Sequence, residues 1–158
     1  MQKITPFLWL DGRAVEAAKF YTSIFKRSKI KSITPASVIF QLDGVQFFAF
    51  NGGPHFKINE AISLFVSCAT QAEIDYFWEK LSAGGTKSRC GWVKDKFGVS
   101  WQVVPPILVD LLNDPDEQKS QRVMQAMLKM QKLNIKKLKR AYQGDGKTNQ
   151  PKPRRKKS

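Results

Sequence analysis

Ile4–Phe25 reads ITPFLWLDGRAVEAAKFYTSIF, and Ala61–Ser82 reads AISLFVSCATQAEIDYFWEKLS. Each is a short apolar run rich in strand-forming residues, followed by a helical pattern. In the first, Ile4–Leu10 reads as a strand and Asp11-Gly12 ends it. Ala14–Phe25 then sets Ala14, Ala17, Ala18, Tyr21, Ile24 and Phe25 on one helical face. In the second, Ala61–Cys68 reads as a strand. Thr70, with Glu73 three residues on, forms a capping-box signature that opens a helix over Gln71–Ser82, with Ile74, Phe77, Trp78 and Leu81 on its apolar side. At an offset of 57 residues Phe7-Leu8-Trp9 meets Leu64-Phe65-Val66, Glu16 meets Glu73, Phe20 meets Phe77, Tyr21 meets Trp78 and Ile24 meets Leu81.

The repeat continues outward. After the first helix come short strands at Lys29–Ile33, Ser37–Leu42 and Val45–Phe50, the last two joined by Asp43-Gly44, a hairpin signal. After the second come strands near Lys87–Cys90, Trp92–Lys94 and Val99–Val104. At an offset of 54, Gly44-Val45-Gln46-Phe47 meets Gly98-Val99-Ser100-Trp101. Agreement in element order as well as in residues marks an internal repeat. The fold class is therefore α+β, with tandem βαβββ modules over about 1–57 and 58–106. Helices follow over 107–143: a short piece at Ile107–Leu112, a helix capped by Asp114 with Pro115 in its first turn and an apolar stripe of Val123, Met124, Met127, Leu128 and Met130, and a last helix capped by Asn134. Residues 1–143 form one domain, and 144–158 read as a basic, disordered tail.

With 42% hydrophobic residues, 11 Phe and 4 Trp, the chain has enough apolar surface for a core. No apolar run approaches the roughly 18 residues of a membrane span, and the first residues lack the apolar stretch of an export signal. A cytoplasmic location with no membrane partner is expected, with Cys68 and Cys90 as reduced thiols. The net charge of +14 is lopsided: Lys129–Ser158 holds 12 Lys/Arg against Asp145 alone, which leaves +3 for residues 1–128. The tail from Lys147, with six Lys/Arg and no aromatic residue, is a candidate for non-specific contact with nucleic acid or for a purely solubilising role.

The segments ITPFLWLDG (4–12), FNGGPHFKINEA (50–61), CGWVKDKFGVSWQVVP (90–105) and RVMQAMLKM (122–130) resemble the PhnB-like proteins. These form the 3-demethylubiquinone methyltransferase-like branch of the vicinal-oxygen-chelate (glyoxalase/bleomycin-resistance) superfamily. The resemblance implies a homodimer, with the methionine stripe as a contact surface. In the superfamily's metal enzymes, His and Glu at four inward-facing strand positions hold one divalent ion. The matching positions here are Ile4, the Phe48/Ala49 region, Ala61 and Gln102, and one neutral amide cannot hold such an ion. No metal and no cofactor are expected. Methyl transfer from a nucleotide-like donor lacks the glycine-rich strand-to-helix turn that would cradle it. The Ile33–Ser37 connection is short for the family, which alters the border of the cavity.

The expected function is binding of a small aromatic or apolar molecule, with metal-independent catalysis and a tail-borne nucleic-acid role as alternatives. Trp9, Phe48, Phe50, Asn51, His55, Trp92, Trp101 and Gln102 are the candidate binding residues. Strand alternation puts Phe48 and Phe50 on one face and Phe47 on the other. His55 and Gln102 are the weak catalytic candidates. His55 needs an orienting acid, for which Glu60 is nearest in sequence, and otherwise fixes its turn. Gln102 is a strand amide that meets either a ligand or a backbone partner.

Overall fold

The computed structural model describes residues 2–145, so the tail expected from residue 144 lies, from residue 146 on, outside the described residues. The first module runs β1 (Phe7–Leu10), α1 (Ala14–Ile24), β2 (Lys29–Ile33), β3 (Ser37–Leu42) and β4 (Val45–Asn51). The second runs β5 (Ser63–Ser67), α2 (Gln71–Ser82), β6 (Thr86–Lys87), β7 (Trp92–Lys94) and β8 (Ser100–Val104). Each forms a four-stranded sheet of identical topology, in the orders β1-β4-β3-β2 and β5-β8-β7-β6. The outer pair is parallel and the rest antiparallel in both. The tandem βαβββ reading holds. The helices α3 (Pro106–Leu112), α4 (Glu117–Leu128) and α5 (Ile135–Gln143) complete the fold. No described helix is long and apolar enough to cross a membrane.

Within the repeat, one register needs correction. In the first sheet Phe7 pairs with Phe48, and in the second Phe65 pairs with Gln102. Leu8 and Val66 are the residues buried toward the helices. Phe7 is therefore equivalent to Phe65, at an offset of 58, whereas the helices keep 57. A one-residue slip reverses which face every strand side chain takes, so the offset of 57 puts Leu64, which faces the helices, in the place of the outward-facing Phe7.

Other elements are shorter or shifted. β1 starts only at Phe7, because Pro6 accepts a hydrogen bond from the Phe48 amide (2.9 Å) but has no N–H to return. The strand expected at Lys87–Cys90 is the two-residue β6, because Cys90 and Gly91 both take positive φ in a turn. A Cβ at Gly91 would lie 2.7 Å from the Val103 carbonyl oxygen. The cap of α4 is Asp116, whose carboxylate accepts from the amides of Gln118 (3.1 Å) and Lys119 (3.2 Å). Asp114 instead accepts from the Tyr142 hydroxyl at 2.7 Å and from the Asp116 amide. The capping box of α2 and the Asn134 cap of α5 are present as read.

The modules meet through their helix-bearing faces. Phe25 at the end of α1 packs on Phe77 of α2 with ring centroids 5.0 Å apart, and the Tyr76 hydroxyl donates to the Ile24 carbonyl at 2.9 Å. At the centre lies Asp95, buried in the β7–β8 turn. One of its oxygens accepts from the Tyr21 hydroxyl and the Trp101 indole N–H, both at 2.7 Å. The other accepts from the amides of Phe97 (2.8 Å) and Val99 (3.1 Å). Burial raises the Asp95 pKa above the usual carboxylate value despite those four bonds, and burial likewise drives Tyr21 well above its ordinary value. A second cluster of Val104, Leu108, Val123, Leu133 and Leu138 holds the C-terminal helices on this body. Met127 and Met130 pack against it, which leaves Met124 and Leu128 as the exposed side chains of the apolar stripe.

Asp95→Asn keeps the size but replaces one acceptor oxygen by an NH₂ group that faces two donors. Leaving two buried donors unmatched is expected to cost about 3 kcal/mol. Urea unfolding of the two proteins measures it, and equal midpoints would show that the network is dispensable.

Candidate ligand site

Because the helices fill the space between the modules, each sheet has a second face turned away from the shared core. On the first sheet this face carries Phe7 and Trp9 from β1 and Phe48 and Phe50 from β4. Phe7 lies 6.3 Å from Phe48 and 5.8 Å from Phe50, ring centroid to centroid, and Trp9 meets Phe50 edge-on at 5.3 Å. Phe56, from the loop after β4, stands edge-on to Trp9 at 4.9 Å. Phe7 is 57% exposed and Phe56 67% exposed. Contiguous exposed aromatic surface is uncommon on folded proteins, which makes this face the candidate site.

The Gly52-Gly53 pair has a local physical cause. The Trp9 indole N–H donates to the Gly53 carbonyl at 2.9 Å, and the ring packs against Gly52. A Cβ at Gly52 would sit 2.1 Å from the ring. The glycine lets the tryptophan lie under the loop and so fixes the rim of the aromatic face.

On the second sheet the equivalent face is more polar. Ser63 and Phe65 stand beside Ser100 and Gln102, and Trp92 and Lys94 continue the face on β7. The Gln102 amide donates to the Ser63 hydroxyl at 2.9 Å. Lys94 pairs with Glu60 of the β4–β5 loop, and this bond holds the Glu60 pKa below the usual value. Glu60, Trp92, Lys94 and Ser100 line a cavity of about 470 Å³. A larger apolar groove of about 910 Å³ runs between the modules, past Phe25, Phe47, Leu64, Phe77 and Trp101.

The structure divides the residues singled out in the sequence. Trp9, Phe48 and Phe50 come together on one free face, and Trp92 and Gln102 lie together on the other. Trp101 joins neither: it is 2% exposed, stacks on Phe25 at 5.5 Å and forms part of the groove. Asn51 is taken up by the fold, its side-chain oxygen accepting from the first amide of α1 at 2.9 Å. His55 sits in an exposed loop, and its expected partner Glu60 is engaged by Lys94. Cys68 is buried, with its pKa pushed up to about 12, and Cys90 lies against the Met127 carbonyl; both are free thiols.

Reading the sequence missed Phe7, Phe65, Ser63 and Ser100. The signal was available: two residues back from Trp9 and from Gln102 along a strand return to the same face. Phe7 and Phe65, rather than Ile4 and Ala61, stand beside Phe48 and Gln102. Ile4 and Ala61 lie before their strands, and Ala49 is buried on the helix side.

Three phenyl rings and one amide do not fit a divalent ion, which needs several nitrogen or oxygen donors. No group of three His, Cys, Asp or Glu that could hold a metal occurs among the described residues.

Two βαβββ modules with matching sheets define the glyoxalase/bleomycin-resistance class of fold. The sequence model of 3-demethylubiquinone-9 3-methyltransferase matches residues 2–104, and the chain belongs to that PhnB-like family. Among solved structures, a PhnB protein from Bacillus cereus is 37% identical with a TM-score of 0.60, over 64% of this chain and 97% of that one. A protein from Pseudomonas aeruginosa is 20% identical with a TM-score of 0.53, over 64% and 95%. A glyoxalase-related enzyme from Fulvimarina pelagi is 15% identical with a TM-score of 0.45, over 63% and 86%. The comparison with curated proteins returned no match. The helices α3 to α5 lie beyond the family match.

Gly52→Ala is expected to expel the Trp9 ring and to cost about 2 kcal/mol through overpacking. Thermal unfolding, with the Trp9 indole NMR signal followed in parallel, checks this. An unchanged indole environment would mean that the loop yields instead.

Proposed function

We propose that the protein binds a small aromatic or apolar molecule, without a metal, in a cavity closed by two copies of the chain. The observation that carries the reading is the exposed aromatic face of Phe7, Trp9, Phe48, Phe50 and Phe56. Within one chain the two free faces point away from each other, because the modules are joined through their helices. A two-fold partner would lay the polar second sheet of one copy on the aromatic first sheet of the other, twice over. Phe65, 53% exposed, then gains the cover it lacks. This contact replaces the one expected at the methionine stripe, most of which is used inside the chain.

Light scattering after size exclusion at tens of micromolar is expected to give a dimer, and Phe7→Ser with Phe65→Ser a monomer. A strict monomer for the unaltered chain overturns the paired cavity. In thermal shift, a neutral aromatic ligand at about 100 times its dissociation constant should stabilise the dimer by roughly 2.7 kcal/mol.

A second reading, contact with nucleic acid, is favoured by one observation on α5. From Gln118 to Gly144 the chain has eight Lys/Arg and no acid. Lys136, Lys137, Lys139 and Arg140 are all exposed on α5, opposite the buried Leu138. The helix's apolar side is already packed, so it has no face to sink into a bilayer. Removing these four charges as Gln should lower the salt slope of duplex-DNA binding by about 3 to 4 units. A slope that changes only when residues 146–158 are deleted would assign all contact to the tail.

A further inference from the structure

Ser100 is the one residue among those described whose buried side-chain oxygen has no hydrogen-bond partner. The residue is 1% exposed and lines the cavity of about 470 Å³. A buried hydroxyl without a partner is costly, and such groups are rare unless something is meant to meet them. Across the β7–β8 ladder Ser100 is paired with Lys94, and both residues line the same cavity. Trp92, two residues from Lys94 on that face, gives the cavity an apolar wall. The site thus combines one cation, one unused hydroxyl donor and one aromatic ring.

The Lys94 ammonium already holds a carboxylate, that of Glu60, carried in by the loop between β4 and β5. Both side chains are half-exposed, and a pair of that kind contributes little to stability. A carboxylate from outside can therefore take the place of Glu60 at small cost. It gains the bond that Glu60 does not make, from the Ser100 hydroxyl.

We propose that this cavity is a subsite for the carboxylate of an aromatic acid: the carboxylate displaces Glu60 from Lys94 and accepts from Ser100, while the ring lies against Trp92. The inference rests on the proposed binding function and names the chemical class of its ligand. It makes Glu60 an internal competitor and the loop that carries it, with Phe56 and the Gly52-Gly53 pair, a segment that responds to binding.

The test is titration of the full chain with benzoate and indole-3-acetate against their uncharged amides, by calorimetry. The acids are expected to bind at least tenfold tighter than the amides. Lys94→Met should remove that preference. Ser100→Ala should weaken the acids severalfold while raising the melting temperature of the free protein, since it deletes an unmatched hydroxyl. Glu60→Gln should tighten the acids severalfold, an effect in the direction opposite to general damage at the site. Acids and amides that bind equally, or a Glu60→Gln protein that binds acids no better, overturn the subsite while leaving the apolar cavity standing. Acids that keep their preference in the Phe7→Ser, Phe65→Ser monomer support the subsite and count against the shared cavity. Failure of every acid and amide to bind overturns both.

Discussion

The Asp95 carboxylate is the tie on which the arrangement of the two modules depends. It belongs to a turn of the second module, yet one of its four donors, the Tyr21 hydroxyl, comes from the helix of the first. Trp101 and two turn amides supply the others. A single buried group thus sets the β7–β8 turn, the rotamer of Trp101 and the docking of α1. The cost is desolvation: burial raises the Asp95 pKa above the value the group has in the unfolded chain. Its contribution to stability is therefore fully present below the unfolded-chain pKa and declines as pH rises through the folded one. The hydrogen bonds limit that decline because each favours the charged form.

Joining the modules through their helices has a consequence for function. The faces that carry the aromatic and polar side chains are left on the outside, back to back. Neither face covers its large apolar side chains, and Phe7, Phe56 and Phe65 stay exposed in a chain that buries Tyr21, Phe40 and Trp101 almost completely. The Phe40 ring stacks on Tyr21 in the core and Trp101 packs at a tilt against it, and strand alternation keeps Phe40 and Trp101 on the opposite side of their sheets from Phe7 and Phe65.

Much of this architecture was legible in the sequence because it rests on local rules. The capping box at Thr70, the Asp43-Gly44 turn and the helical spacing of Tyr21 and Trp78 each act over a few residues. The repeat made the order of strands readable as well. The site was legible only in part, for a reason of register. Helices and strands of the two modules align at different offsets, and in a strand an error of one residue exchanges inside for outside. That slip hid the equivalence of Phe7 with Phe65. Trp101 escaped for another reason: its indole N–H answers to a buried acid six residues away, a tertiary demand that no pattern of apolar residues announces. Asn51 is similar, its role as the cap of α1 arising from a contact 37 residues distant.

Phe7 and Phe48 on the first sheet, and Phe65 beside Gln102 on the second, offer rings and a single amide, and under the proposed function this limits what can confer selectivity. Aromatic walls distinguish ligands weakly, since a misplaced methylene in an apolar pocket is worth only about 1–3 kcal/mol. Discrimination must come from the few polar groups, because an unmatched buried hydrogen-bonding group is penalised far more heavily than a loose apolar contact. On the first sheet the Trp9 N–H is already held by Gly53, and the other polar groups of that face, Ser37, Gln41 and Gln46, lie on β3 and at the start of β4. The second sheet has Ser63, Ser100, Gln102 and Lys94. Two of these, Ser63 and Gln102, satisfy each other. Lys94 is held by a replaceable loop acid, and Ser100 has no partner among the described residues. Under the proposed function, selection of the ligand falls to the cavity beside β7 and β8, and the aromatic sheet supplies area.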